Sequence, residues 1–367
     1  MLNRRVILGA LAMTAGAATA RAAEPAMPVG GPGPKNLITD VPGLKVGQSQ
    51  DMKVRTGVTV ILPDQPAVCA VDVRGGGPAT RETDALRQEN LVQTVDAIVL
   101  SGGSVYGLSA ADSVVEWLGA HDRGYQGLPM PGVPKSPIVP TACLYDLANR
   151  GDKAWGQNPP YRALAAKALD GVGDSFALGT NGAGTGAGSG GLKGGLGSAS
   201  VVTPDGVSVG AIVAVNSMGS TVAPGSKKFW AGPWEMGKEF GGLGPVDVRA
   251  TPDDWLRALM AARPRANTTI ACVATDVSLT REELQRVAIM AQDGMSRAIR
   301  PIHSPFDGDL VFAMSTGKRE VSGPFPRQFV VARIGALAAD TLTRAIARGV
   351  YEATAFPNDQ EKAWRDL

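Results

Sequence analysis

The sequence is poor in the residues on which several common kinds of active site depend. Its 367 residues include two histidines and three cysteines, and aromatic residues make up 5%. So few aromatic rings disfavour recognition of single-stranded nucleic acid by stacking. The cysteines fit no metal-binding spacing, and the chain contains no His-Glu-x-x-His motif. The sequence therefore predicts neither a metal nor another cofactor.

The shortage of histidine limits histidine-based catalysis. A Ser-His-Asp triad would need either His121 or His303 as its base. His121 follows an apolar run and is predicted to end a helix at the surface. His303 lies in the segment Pro301–Pro305, close to two aspartates, where it could line a pocket. We expect a structural role for both.

The three cysteines are Cys69, Cys143 and Cys272. Cys69 and Cys272 lie within apolar runs and are predicted to be core residues. An oxidising compartment would permit one disulfide, but the sequence does not select the pair.

The N-terminal residues indicate export. Arg4 and Arg5 precede the apolar run Val6–Ala18, and the small residues around Ala20–Ala23 follow it. Paired arginines before the run are typical of the twin-arginine route, and the run is too short to span a bilayer. An amphipathic first helix is the alternative. We predict a signal peptide over residues 1–23 and a periplasmic or secreted protein without a membrane anchor.

Removal of that segment would leave a nearly neutral protein. The whole chain carries a formal charge of +2, and residues 1–23 contain three arginines and no acidic residue, which leaves −1. Such a balance offers no general attraction to a phosphate backbone. The sequence therefore predicts no nucleic-acid partner.

The remaining chain is predicted to form a short linker and a single domain. Residues 24–35 are rich in proline and glycine and are predicted to be the linker, with the domain over 36–367. Short apolar runs predict strands over 58–62, 67–73, 97–100, 207–215, 269–274 and 310–314. Helical patterns cover 108–118, 162–169, 253–262, 281–298 and 331–351. This pattern indicates an α/β or α+β protein with helices over layered sheets.

A glycine-rich stretch, residues 174–200, is predicted to be a loop of the site rather than a disordered linker. Within it, Gly182–Gly186 resembles a phosphate loop only superficially, because no Gly-Lys-Ser or Gly-Lys-Thr follows. These glycines would instead let backbone amides approach a substrate closely. Gly184 and Thr185 are therefore predicted to bind substrate.

A possible nucleophile lies at Asn267-Thr268, just before the apolar run Ile270–Ala274. A cut between these two residues would expose an N-terminal threonine, whose hydroxyl attacks while its own amine takes the proton. An α-amine titrates near pH ~8, so this chemistry needs no histidine. A turn followed by a strand is the alternative interpretation.

Two carboxylates follow about forty residues later, in Asp307-Gly308-Asp309 before the run Leu310–Met314. Alternation places both on the same side of an extended segment. There they could hold the amine and hydroxyl of the threonine through charge-assisted hydrogen bonds. A turn is again the alternative interpretation.

Several further blocks, each weak alone, are specific in combination. They are Leu37–Gly43, Asp72–Gly76, Ser101–Leu108, Gly182–Gly186 and Lys193–Gly195. With them the chain resembles the self-cleaving peptidases that include L-aminopeptidase/D-esterases, β-peptidyl aminopeptidases and nylon-oligomer (6-aminohexanoate oligomer) hydrolases. The resemblance runs from about Asn36 to Tyr351. Asn-Thr-Thr-Ile and Asp-Gly-Asp are especially similar to the nylon-oligomer hydrolases.

The resemblance implies both a fold and an activity. The expected fold is a four-layer αββα sandwich of the N-terminal-nucleophile-hydrolase kind. The chain would cut itself between Asn267 and Thr268 into fragments 24–267 and 268–367, and Thr268 would then hydrolyse short peptides, amino-acid amides or oligoamides. Members of the family form tetramers of cut protomers, so a homo-oligomer is expected here.

The same resemblance assigns roles to particular residues. Asp307 and Asp309 match the paired polar residues that orient the nucleophile, and Asn216 matches an asparagine that donates to the oxyanion. Lys193 matches a site lysine if a small gap is allowed in the glycine-rich loop, and it is otherwise a solvated loop residue.

Two tyrosines complete the predicted site. Tyr145 matches a site tyrosine, in a block of an apolar residue followed by Tyr-Asp. Tyr106 is a second candidate, for substrate binding, and the alternative for it is a core tyrosine.

Other interpretations stay open at this point. Asn216-Ser217 is a competing junction, because it too is an Asn-hydroxyl pair after a strand. An acyltransferase of the ornithine acetyltransferase type would use the same nucleophile, and a binding protein could keep the fold without the activity. Short peptides, β-peptides, D-amino-acid amides and 6-aminohexanoate-type oligomers all remain open as substrates.

Overall fold

The computed structural model describes residues 30–249, 251, 253, 254, 256, 260, 267–320, 326–357, 359 and 361–367. The predicted signal peptide, most of the predicted linker and most of the helix predicted over 253–262 lie outside these residues. The described end of the linker lies against the domain. Gly31 forms an antiparallel bridge with Val202, and the amide of Gly33 donates to Ser200 Oγ at 3.1 Å.

The described strands form two large sheets and one short hairpin. The first sheet has the order β1-β2-β6-β7-β4, the second has the order β10-β11-β12-β13-β3-β5, and β8 pairs with β9. The strands are β1 Leu44–Asp51, β2 Thr56–Pro63, β3 Ala67–Val73, β4 Ala79–Arg81, β5 Thr94–Val95, β6 Ile98–Ser101, β7 Thr141–Cys143, β8 Gly188–Ser189, β9 Leu192–Lys193, β10 Gly195–Val202, β11 Ser208–Val215, β12 Ile270–Val277 and β13 Leu310–Arg319.

In the described part of the chain, four long helices cover the two sheets. They are α1 Ala110–Ala120, α2 Tyr161–Asp170, α3 Arg281–Ala298 and α4 Arg327–Tyr351. Helices α1 and α2 pack on the first sheet, and α3 and α4 pack on the second. Three buried apolar clusters fill the spaces between helices and first sheet, between the two sheets, and between second sheet and helices. The predicted αββα sandwich is therefore confirmed.

Local sequence signals fixed some element bounds closely. Helix α3 has the predicted bounds, and its capping box is present, because Thr280 Oγ1 accepts from the amide of Glu283 at 3.3 Å while Glu283 Oε2 accepts from the amide of Thr280 at 2.9 Å. His121 follows α1 and is exposed, as predicted. Strand β13 continues past its predicted end at Met314 to Arg319, because it pairs with β12 as far as Arg319, opposite Val277.

The described residues carry no sign of a metal cluster or a membrane span. None of their helices is long and apolar enough to cross a bilayer, and they contain no group of three or more potential metal-ligating side chains. All three cysteines are buried free thiols. The disulfide that an oxidising compartment would permit is therefore not formed.

Candidate active site

The predicted nucleophile lies at the start of β12. Thr268 is buried, and its amide donates to the carbonyl oxygen of Asn216 at 2.5 Å. The Thr268 hydroxyl donates to the carbonyl oxygen of Asn267, the residue before it. In the continuous chain the hydroxyl therefore touches the peptide unit that the sequence predicts to be cut.

The sheet brings the threonine and the two aspartates together. Strands β12 and β13 are parallel neighbours, and Ile270 lies opposite Leu310. The residues just before each strand therefore meet at one edge of the sheet. Gly308 lies directly against the nucleophile, because a Cβ at this position would come within 2.9 Å of Thr268 Oγ1. The glycine between the aspartates thus leaves room for the hydroxyl.

Asp309 is fully buried and holds the backbone beside the nucleophile. Its Oδ1 accepts from the amide of Thr269 at 2.7 Å. Its Oδ2 accepts from the amide of His303 at 3.1 Å and from His303 Nδ1 at 3.0 Å. The carboxylate therefore fixes the residue after Thr268 rather than the amine and hydroxyl of Thr268, which were the predicted contacts.

Asp307 is also fully buried and binds a different set of donors. Its Oδ1 accepts from the amide of Met218 at 3.2 Å, and its Oδ2 accepts from the amide and hydroxyl of Ser304 at 3.1 and 2.5 Å. Burial raises the pKa of Asp307 to about 6, and the nearby charge of Asp309 adds to the rise. In the continuous chain Asp307 orders the segments around the threonine without bonding to Thr268.

Asn216 lies beside the nucleophile, at the end of β11. Its Nδ2 donates to the carbonyl oxygen of Tyr145 at 3.1 Å, and its Oδ1 accepts from the amide of Gly188 at 2.9 Å. Its backbone carbonyl holds the amide of Thr268. The amide nitrogen carries two N–H groups, and the bond to Tyr145 accounts for one of them.

The competing junction has a different geometry. Ser217 Oγ lies 2.8 Å from Ser189 Oγ and donates to the carbonyl oxygen of Gly219 at 2.7 Å. Its hydroxyl therefore points onward along the chain, whereas the hydroxyl of Thr268 points back to the preceding carbonyl.

Thr268 opens into a cleft of about 360 Å³. Tyr145, which the resemblance matches to a site tyrosine, and Asn267 both line this cleft. The other lining residues were not singled out by the sequence as site residues, namely Gly77, Ala79, Ser104, Cys143, Pro305 and Phe306. Burial raises the pKa of the Cys143 thiol well above its usual range, so this thiol stays protonated. The lining residues of the described cleft carry no formal charge.

Lys193 is buried and does not line the cleft. Its ammonium donates to the carbonyl oxygen of Ala187 and lies 5.5 Å from the centre of the Phe356 ring. With 1% of its surface exposed, Lys193 is not the solvated loop residue of the alternative interpretation.

Three residues predicted to bind substrate do not reach the cleft. A Cβ on Gly184 would come within 1.9 Å of the backbone nitrogen of Leu196, so this glycine permits close packing of the chain on β10. The Thr185 hydroxyl is buried and donates to the carbonyl oxygen of Gly182 at 2.7 Å. Tyr106 is half exposed and packs edge-on against Trp155, with ring centres 5.8 Å apart.

For Gly184 the reason is that a glycine which would fit a substrate also fits a neighbouring strand. His303 and Ser304 were not predicted to be site residues, but the fold places both against the acid pair. The sequence placed His303 near the aspartates, but only the fold shows that both residues donate hydrogen bonds to them.

The comparisons with known proteins decide the family. The model of peptidase family S58 matches residues 36–363. The chain belongs to peptidase family S58. The resemblance inferred from the sequence blocks is therefore confirmed, and this S58 protein is a peptidase or amide hydrolase.

This S58 peptidase is similar to curated relatives that include aminopeptidases and oligomer hydrolases. An uncharacterized aminopeptidase of Mycobacterium tuberculosis is 41% identical over 344 residues, which cover 87% of this chain and 94% of the relative. A 6-aminohexanoate-oligomer endohydrolase of Paenarthrobacter ureafaciens is 31% identical over 305 residues, which cover 79% of this chain and 77% of the relative.

Solved structures show the same fold. The L-aminopeptidase D-Ala-esterase/amidase of Ochrobactrum anthropi, described as a variant of the Ntn hydrolase fold, aligns with a TM-score of 0.64 and 24% identity, over 92% of this chain and 93% of its own. A β-aminopeptidase of Burkholderia sp. aligns with a TM-score of 0.62 and 22% identity, over 89% and 90%. This S58 peptidase therefore has an Ntn-hydrolase-like fold.

Proposed function

We propose that this S58 peptidase is an exported, self-processing amide hydrolase whose nucleophile is Thr268. The observation that carries the proposal is the contact between the Thr268 hydroxyl and the carbonyl of Asn267 at the head of β12. Further support comes from the buried acid pair just before the adjacent strand, and from the S58 family to which the chain belongs.

The first proposed step is self-cleavage. The Thr268 oxygen attacks the carbonyl carbon of Asn267, the C–N bond breaks, and the hydroxyl proton passes to the departing nitrogen. Water then hydrolyses the resulting ester, which leaves a carboxylate on Asn267 and a free amine on Thr268. The carbonyl of Asn216, which now accepts from the Thr268 amide, would accept from that amine.

The second proposed step is hydrolysis of substrate. The free amine of Thr268 takes the proton from its own hydroxyl, which attacks the substrate amide carbonyl. The Asn216 side-chain amide then donates to the oxyanion, and a donor of this kind is worth about 3 kcal/mol. The leaving amine takes the proton, and water releases the acyl group from Thr268.

Short peptides, amino-acid amides and oligoamides are the proposed substrates. The aminopeptidase name of the mycobacterial relative supports the first two, and the name of the 6-aminohexanoate-oligomer endohydrolase supports the third. The uncharged cleft around Thr268 is compatible with the neutral backbone of all three.

Self-cleavage is tested by denaturing electrophoresis and N-terminal sequencing of the purified protein. We expect two fragments, the smaller beginning Thr268-Thr269-Ile270, and a Thr268→Ala protein that remains one chain. Ser217→Ala is the matched control, because it removes the hydroxyl of the competing junction and should leave cutting unchanged. An active preparation that stays intact would contradict the proposal.

Activity is tested with a panel of aminoacyl amides, short peptides and 6-aminohexanoate oligomers, with the Thr268→Ala protein as the blank. We expect release of free amine that depends on Thr268. Transfer of the acyl group to added amines in preference to water would instead indicate an acyltransferase.

Export and assembly are the remaining parts of the proposal. Support for export comes from the twin arginines and apolar run within residues 1–23. Cell fractionation should find the processed protein outside the cytoplasm, and replacing both arginines with lysine should retain it inside. Light scattering should give the mass of a tetramer of cut protomers, and a single cut protomer would contradict that part.

A further inference from the structure

His303 lies next to the acid pair but is absent from the residues that line the cleft. Its backbone amide and its ring Nδ1 both donate to the same oxygen of Asp309, at 3.1 and 3.0 Å. The other oxygen of Asp309 accepts from the amide of Thr269 at 2.7 Å. A continuous path of hydrogen bonds therefore runs from the imidazole to the residue that follows the nucleophile.

The Asp309 carboxylate needs these donors because it is fully buried beside a second buried carboxylate, Asp307. A buried charge is tolerated only when its oxygens are hydrogen-bonded. Three donors reach Asp309 in the described part of the chain, and the imidazole of His303 is the one side chain among them. Ser304 likewise donates to one oxygen of Asp307 through both its amide and its hydroxyl.

The tautomer of His303 follows from this contact. An ionised carboxylate can only accept, so Nδ1 must carry a proton whether the ring is neutral or charged. The backbone at His303 has a φ of +58°, in the left-handed region where asparagine, aspartate and histidine are enriched among non-glycine residues. This conformation lets the amide and the ring of one residue face one oxygen.

We propose that His303 is a positioning residue, whose Nδ1 proton fixes the Asp309 carboxylate so that it holds the Thr269 amide and thereby the backbone of Thr268. It acts through Asp309 and does not touch the substrate. The proposal rests on the proposed function, because it assigns His303 a part in both the self-cleavage and the hydrolysis that Thr268 carries out.

The matched test pair is His303→Asn and His303→Asp. Both side chains have nearly the same size, and both tolerate the left-handed backbone. Asparagine keeps an N–H donor near the position of Nδ1, whereas aspartate places a second acceptor and a like charge against Asp309. The two variants therefore differ in the proposed interaction and in little else.

Three quantities are measured for each variant, namely the rate of self-cleavage of freshly made intact chain, and kcat and KM for an amide substrate after cutting. We expect His303→Asn to stay within about threefold of the parent. We expect His303→Asp to lower the cleavage rate and kcat by on the order of 100-fold, as displacement of a reacting group does, while KM changes little. Rescue by asparagine and the split between kcat and KM separate positioning from a general loss of structure.

The possible outcomes separate this proposal from the proposed function. If the parent cuts and His303→Asp cuts and turns over at the parental rate, the positioning role is overturned while the role of Thr268 stands. If the parent does not cut and behaves like Thr268→Ala, the proposed function itself fails. Should thermal unfolding show that His303→Asp is not folded, His303→Gly replaces it, because glycine accepts the backbone conformation and removes the donor.

Discussion

Replacing Asp307 with asparagine should change how the stability of the fold depends on pH. The Asp307 carboxyl is fully buried, and burial together with the charge of Asp309 raises its pKa to about 6. An aspartate in an unfolded chain has a pKa near ~3.9. Between these two values the folded chain holds its proton more tightly than the unfolded chain does.

The sign of the effect follows from that difference. Below the unfolded pKa the carboxyl is protonated in both states, so its ionisation costs the fold nothing. As the pH rises through the folded pKa of about 6, the fold loses stability, and above that pH the loss is constant. At about 1.4 kcal/mol per pKa unit, the full loss is about 3 kcal/mol.

Asparagine at position 307 removes this pH-dependent loss and adds a constant cost. It cannot ionise, but one of its two terminal atoms is a donor that would face either the Met218 amide or the Ser304 donors. Such a mismatch costs about 1–3 kcal/mol at every pH. The variant should therefore be the less stable protein at pH ~4, and should recover most or all of that deficit at pH ~8.

Urea unfolding at a series of pH values measures the effect. Both proteins should carry Thr268→Ala, which keeps the chain in one piece, and both should be measured at the same protein concentration. The change in unfolding free energy between pH ~4 and pH ~8 should differ between the two proteins by about 2.5 kcal/mol, because a small part of the full loss has already occurred at pH ~4. Parallel curves would refute the assignment of the raised pKa to Asp307.

Two further predictions concern the fold. After the cut, the fragments should co-migrate in size-exclusion chromatography and separate only in denaturant, because β12 and β13 of the second fragment lie between β11 and β3 of the first. The buried Arg344 of the second fragment is also paired with Glu239 of the first at 2.6 Å. Separation of the fragments in native buffer would contradict this. Gly184→Ala should lower stability by about 3 kcal/mol in thermal unfolding, since its Cβ would overlap backbone that cannot move. Gly119→Ala in α1 is the control, because a Cβ at this position would have no atom within 4 Å. This variant should gain about 1 kcal/mol of stability. Equal effects at both positions would contradict the packing argument.

Elements that depend on local interactions were predictable from the sequence. Helix α3 begins at Arg281, because the capping box at Thr280 and Glu283 satisfies its first amides without help from the rest of the chain. Strand bounds were less predictable, since a strand extends as far as its neighbours pair with it. Strand β13 runs five residues past its predicted end at Met314 for this reason.

The glycine-rich loop shows why some site residues could not be predicted. A run such as Gly182–Gly186 signals that something approaches the backbone closely, but not what it is. In the fold the approaching groups are strands and side chains of the same chain, such as the backbone of Leu196 at Gly184. Only the fold decides whether a substrate or a neighbouring strand approaches the glycine.

The sequence by itself determined the family and the fold class, and it predicts the type of chemistry. The pairing of Asn267-Thr268 with Asp307-Gly308-Asp309, in a chain with two histidines, pointed to a nucleophile that carries its own base. The tertiary structure alone decided which groups touch. Parallel pairing of β12 with β13 sets Asp309 against Thr269 rather than Thr268, and the turn at His303 supplies its donor. Hydrogen bonds act over about 3 Å, and distances of that order between residues forty apart exist only once the sheet has formed.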